Sequence, residues 1–85
     1  MNYSDIIVVR IAEIIKKKSI SVNKLADMSG VAQSTLDNIM HGASKNPTLK
    51  TIHKIANALG LTVSEFLDYK EMNEFSFDEG KTKDD

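Results

Sequence analysis

Apolar and polar positions alternate along this chain in short helical blocks, each closed by a glycine or by small polar residues. In the first block Ile7, Ile11, Ile14 and Ile15 recur at helical spacing. The Ile6–Val9 run alone is also compatible with a strand, but the continuation to Ile15 decides for a helix. It is predicted from the cap candidate Ser4 to about Lys17. Ser21 opens a second helix as its N-cap, with Ile20 and Leu25 spaced as a hydrophobic staple. Gly30 supplies the left-handed position that ends it near Ser29. A third helix runs from Gln33 to Met40, before Gly42. Thr48 caps a fourth, whose stripe is Leu49, Ile52, Ile55, Ala56 and Leu59, and Gly60 ends it. Thr62 and Glu65 form a capping box for a fifth helix, with Leu61 and Phe66 as its staple. This helix is expected to reach about Tyr69.

The segment KLADMSGVAQSTLDNIMHG carries the most information. Wound at about 100° per residue, Gln33, Ser34, Asp37, Asn38 and His41 share an arc of roughly 140°, while Leu36 and Ile39 point the opposite way. A helix this short is marginal alone, so helix 2 must hold it through Leu25 and Ala26. Gly30 bends the connection and Val31 plugs it. Two short helices joined by a glycine-containing turn form a helix-turn-helix pattern. Outside that setting the polar face would be plain solvated surface. Within it, a Gln or Asn amide can contact adenine bidentately and a Ser hydroxyl can pair with several base edges in the major groove. Residues near the start of such a helix are the ones that reach bases. Asp37 is expected to pair locally with His41, one turn on.

Composition narrows the alternatives. Eighty-five residues make one domain with a modest core. Without cysteine there is no disulfide and no thiolate metal site, and a cytoplasmic location is expected. No segment is an uninterrupted membrane span, and the IIVV run lacks the flanks of a signal peptide. Residues 1–67 carry eight Lys/Arg against five Asp/Glu, a net +3, whereas residues 68–85 carry three against seven, a net −4. A basic body with an acidic tail permits nucleic-acid binding. His41 and His53 lack the paired ligands of a metal site, and His53 reads as a partly buried histidine of helix 4. Nothing suggests a catalytic triad, so no enzyme activity and no cofactor are expected.

The stretch SVNKLADMSGVAQSTLDNIMHGASKNPTLKTIHKIANALGLTVSEFLD resembles the phage-repressor and Cro type of helix-turn-helix domain, the XRE family. The matching features are Leu25-Ala26, Gly30-Val31, the Ser-Thr-Leu of helix 3, Gly42, Pro47 and ANALGLTVSEFL, over about residues 5 to 68. The resemblance implies an all-α, five-helix, lambda-repressor-like DNA-binding domain with helices 2 and 3 as the helix-turn-helix. It implies a transcriptional regulator, a repressor in many relatives, that binds a double-stranded DNA operator as a homodimer. Carried over by position, Gln33, Ser34 and Asn38 would contact bases. Ser21, Asn23, Thr35, Lys45, Asn46 and Thr48 would contact phosphates. The chain departs from its relatives where Val22 stands at a common phosphate-binding Gln, and where Ile15 and Met40 replace an Arg–Glu pair. An apolar pair can replace a buried ion pair without loss of stability.

Residues 1–70 are thus expected to form the DNA-binding domain and 71–85 an acidic, flexible tail. In that tail Phe75 and Phe77 alternate with polar residues, as in a tail that packs loosely on its own domain or in a short strand or hook that docks on another chain. Phe66, Tyr69, Phe75 and Phe77 are the expected homodimer surface. A protein partner through the C-terminal segment is the alternative reading: a helix-turn-helix scaffold that binds another protein, as an antitoxin does.

Overall fold

The computed structural model describes residues 3–42 and 46–77, and no strand occurs among them. The helices are α1 (Tyr3–Lys18), α2 (Val22–Ser29), α3 (Gln33–Met40), α4 (Leu49–Ala58), α5 (Val63–Leu67) and α6 (Lys70–Asn73). Local signals set most of their ends. Ser21 Oγ accepts from the Lys24 amide at 3.0 Å, and Thr48 Oγ1 accepts from the Thr51 amide at 3.2 Å. At α5 both halves of the capping box are present. Thr62 Oγ1 accepts from the Glu65 amide at 3.0 Å, and Glu65 Oε1 accepts from the Thr62 amide at 2.9 Å. In α1, Asp5 in the first turn and Lys16, Lys17 and Lys18 in the last complement the helix dipole. Ser4 lies inside this helix rather than at its cap, because the first turn already includes Tyr3.

One apolar cluster joins the elements. Leu25, Ala26, Leu36, Ile39, Ile52, Leu59 and Phe66 are all buried in it, together with Ile7, Ile11 and Ile55. Ile15 belongs to the same cluster and Met40 packs against that cluster. α2 packs against both α3 and α4, α4 against α5, and α1 against α3 and α6. The helix-turn-helix is therefore clamped from behind by α4 and α1.

The chain after Leu67 differs from expectation. α6 follows α5, making six helices among the described residues rather than five, and packs on α1. Tyr69 is buried, and its hydroxyl donates to the Ile6 carbonyl at 2.9 Å. The Tyr3 ring meets Phe75 at 5.2 Å and Phe77 at 5.4 Å between centroids, and the Tyr3 hydroxyl donates to Met72 Sδ at 3.7 Å. Part of the segment expected as a tail thus lies against α1, through α6 and through the rings of Phe75 and Phe77. The partly buried Phe75 and the mostly exposed Phe77 meet Tyr3 in the first turn of α1, which no local pattern announces. The acidic residues from Asp78 onward lie outside the described residues. Phe66 and Tyr69 cannot form the expected homodimer surface, because both are core residues, 0% and 7% exposed.

Arg10 locks this end of the molecule. Its Nε donates to the Phe66 carbonyl at 2.7 Å and its Nη2 to the Glu65 carbonyl at 2.9 Å. The guanidinium also lies 4.9 Å from the centre of the Tyr69 ring and 5.8 Å from that of Phe66. The last carbonyls of a helix have no partner within it. Here a planar cation on α1 donates to two carbonyls of α5, that of Phe66 and that of Glu65, which also accepts from the Asp68 amide at 3.3 Å, and it stacks on the aromatics beside them.

Candidate nucleic-acid interface

The turn between α2 and α3 is built by backbone conformation and two small side chains. Gly30 adopts φ 77°, and its amide donates to the Ala26 carbonyl at 3.0 Å. A Cβ there would meet nothing within 4 Å, so the requirement for glycine is conformational rather than steric. The Ser29 hydroxyl donates to the Ala26 carbonyl at 3.3 Å and accepts from the Val31 amide at 3.2 Å. Val31 is buried beneath the turn. Ala26, 6% exposed, leaves the space in which α2 and α3 approach.

α3 is held to the core by Leu36 and Ile39, both buried. Opposite them Gln33, Ser34 and Asn38 are exposed and share one face. Thr35, also exposed, lies at the far margin of that face. Ala32 occupies the N-cap and supplies no side-chain hydrogen bond. A shallow open groove beside the turn is lined by Asn23, Lys24, Asp27, Gly30 and Gln33. It brings the start of α3 next to the first turns of α2.

The expected phosphate contacts divide into three groups. Asn23, Thr35 and Asn46 are exposed side chains. The hydroxyls of Ser21 and Thr48 are already engaged as helix caps, and that of Thr48 also donates to Thr51 Oγ1 at 3.1 Å. Lys45 lies outside the described residues.

Asp37 does not pair with His41 through its carboxylate. His41 Nδ1 lies 2.9 Å from the Asp37 backbone carbonyl, while Asp37 Oδ1 accepts from Gln33 Nε2 at 3.0 Å. The residue one turn back therefore competes successfully for the carboxylate, because a Gln amide reaches a carboxylate at this spacing. His53 is exposed rather than partly buried. With Lys50, Lys54 and Asn57 it lines a second shallow surface groove. That stripe repeats at positions three, four and seven residues apart, so the spacing was present in the sequence.

No group of three or more His, Cys, Asp or Glu residues that could hold a metal occurs among the described residues. No described helix is long and apolar enough to cross a membrane.

Comparison with known proteins agrees with this geometry. The profile of the Cro/C1-type HTH DNA-binding domain matches residues 10–71. The HTH-type transcriptional regulator SinR of Bacillus subtilis (strain 168) is 33% identical over 66 residues, which cover 78% of this chain and 60% of that protein. SlrR of the same organism, also an HTH-type transcriptional regulator, is 35% identical over 57 residues, covering 67% of this chain and 38% of its own length. The chain thus spans about three fifths of SinR and under two fifths of SlrR. Among solved structures, prophage Lp1 protein 11 superposes with a TM-score of 0.78 at 31% identity, covering 87% of this chain and 97% of that one. With the turn, the paired helices and the matched span in agreement, the chain belongs to the Cro/C1-type helix-turn-helix family of DNA-binding domains, a family of non-enzymatic proteins.

Proposed function

We propose that this protein is a sequence-specific regulator of transcription, acting as a repressor, that places α3 in the major groove of a double-stranded operator. The observation that carries this reading is the exposed face of Gln33, Ser34 and Asn38, presented by a helix whose other side is anchored in the core. Amide and hydroxyl side chains supply both donors and acceptors, which is what base edges require. SinR and SlrR, both HTH-type transcriptional regulators, support the regulatory role. A cytoplasmic location goes with it, where such a regulator meets DNA.

Phosphate contacts from Ser21, Asn23, Thr35, Lys45, Asn46 and Thr48 would hold α3 in register. At Thr48 the hydroxyl proton is already given to Thr51 Oγ1, which favours neighbouring backbone amides as donors, whereas the Ser21 hydroxyl only accepts in its cap and keeps its proton for a phosphate. Contacts of this kind set affinity and its salt dependence, while base contacts set preference.

A single α3 reads few base pairs. Two copies on successive turns of the groove, about 34–36 Å apart, would double the contacts and add avidity, so we read the active form as a homodimer. Among the described residues the most exposed large apolar side chains, Leu49 (68%) and Phe77 (70%), ahead of Met28 (44%), are the candidates we favour for its contact surface.

The experiment is a titration of selected and scrambled duplexes at several salt concentrations, with wild type and Lys45→Ala. A DNA regulator prefers the selected duplex. Lys45→Ala weakens both complexes and lowers the salt slope by about one unit. Equal binding to both duplexes would contradict sequence-specific readout, and binding to neither would leave the protein-interaction reading.

A further inference from the structure

Gln33 and Asp37 stand one turn apart on α3, joined by the 3.0 Å hydrogen bond from Gln33 Nε2 to Asp37 Oδ1. An ionised carboxylate only accepts, so the nitrogen end of the Gln33 amide, and not its oxygen, must face Asp37. The two N–H bonds of that nitrogen are not equivalent. One lies on the same edge as Oε1, and the other points away from it. The edge pair, an acceptor and a donor side by side, matches N6 and N7 of adenine.

We propose that Asp37 is a positioning residue for base readout. Its carboxylate takes the Gln33 N–H turned away from Oε1, fixes the order of acceptor and donor on the exposed edge, and thereby sets which base Gln33 prefers. This rests on the reading of Gln33 as a base contact. It also gives a use to a negative charge that otherwise only weakens affinity, since a carboxylate on the DNA-facing helix repels phosphates. The carboxylate is not spent on His41, whose ring meets the backbone carbonyl instead. A purely helix-stabilising Gln–Asp pair would change stability and leave base preference alone.

The test measures affinity for duplexes carrying each of the four base pairs at the position that Gln33→Ala renders degenerate. Wild type should discriminate there by about 5- to 150-fold, the range of one bidentate contact. Asn has the shape of Asp, but its amide can meet either end of Gln33, so both orders coexist. Asp37→Asn should therefore lower discrimination at that pair by about threefold or more, without weakening the non-cognate duplexes. Asp37→Glu, which keeps an acceptor-only carboxylate, should retain most of it. The double variant Gln33→Ala/Asp37→Asn should show the same base preferences as Gln33→Ala alone. Full discrimination by Asp37→Asn would overturn the proposal, as would an equal effect of Asp37→Asn in the Gln33→Ala background. If Gln33→Ala leaves preference intact at every position, the reading of Gln33 itself fails and the proposal with it. The single-variant data separate that outcome from the others.

Discussion

Tyr69 closes one end of the core with a single polar contact, its hydroxyl donating to the Ile6 carbonyl. Burial pushes its pKa up from 10.0 to about 12, against the opposing pull of the Arg10 charge. The folded state therefore holds this proton more tightly than the unfolded chain. The associated stability is fully present below pH 10.0 and is lost as pH rises from there through about 12. Tyr69→Phe should cost about 0.5–1.5 kcal/mol at pH 8 through the missing hydrogen bond. Between pH 10 and 12 the gap to wild type should narrow, because Phe has no proton to lose. Urea denaturation of both proteins at pH 8 and pH 11 checks this, and a gap that widens with pH contradicts it. Arg10 is the second residue of this kind. Arg10→Ala should cost about 1.5–3 kcal/mol, since charge-assisted bonds to the Glu65 and Phe66 carbonyls disappear together. Neither role was legible in the sequence. Arg10 reads only as an interruption of an aliphatic run, and its partners lie 55 and 56 residues away. The Gln33–Asp37 pair spans one turn and was within reach, but the same spacing offered His41 equally well.

Helix ends were legible because their causes are local. Ser21, Gly30, Thr48, Thr62 and Glu65 each act within a few residues of the backbone groups they satisfy, and all occupy the cap or turn positions their chemistry predicts. The turn between α2 and α3 yields two tests. Ala26→Leu must insert three more carbons where the helices approach, and should cost about 1–3 kcal/mol by overpacking. Gly30→Ala meets open space, so its cost is the left-handed conformation alone, about 1–2 kcal/mol. Thermal unfolding of the two variants separates the effects. If Gly30→Ala were neutral, the turn would not need its positive φ. α6 escaped prediction for the opposite reason. Four residues carry no periodicity, and this helix is held by packing on α1 rather than by its own sequence.

At the scale of the whole molecule, the paired helices α2 and α3 face outward while α1, α4 and α5 supply the core behind them. The aromatic cluster of Tyr3, Phe75 and Phe77 ties part of the segment expected as a tail to α1. Truncation after Tyr69 should lower stability, by exposing Tyr3 and removing α6 from α1. Phe77→Ser is the cleaner probe of pairing, because Phe77 is mostly exposed. With Leu49→Ser, it should weaken cooperative binding to a two-half-site operator and spare binding to one half-site. Sedimentation of wild type and the double variant, free and with DNA, reads the difference; identical stoichiometry would exclude this surface from the homodimer. The alternation at Phe75 and Phe77 was visible in the sequence, but its partner, Tyr3 at the other end of the chain, was not. The central claim is that α3 reads base pairs, and the most direct measurement is selection of bound sequences from random duplex DNA, run in parallel with wild type and Gln33→Ala. The account predicts one enriched half-site for wild type. For the variant it predicts the same half-site, degenerate at a single base pair and weakened there by about 1–3 kcal/mol. No enriched sequence for wild type, or an unaltered one for Gln33→Ala, would contradict it.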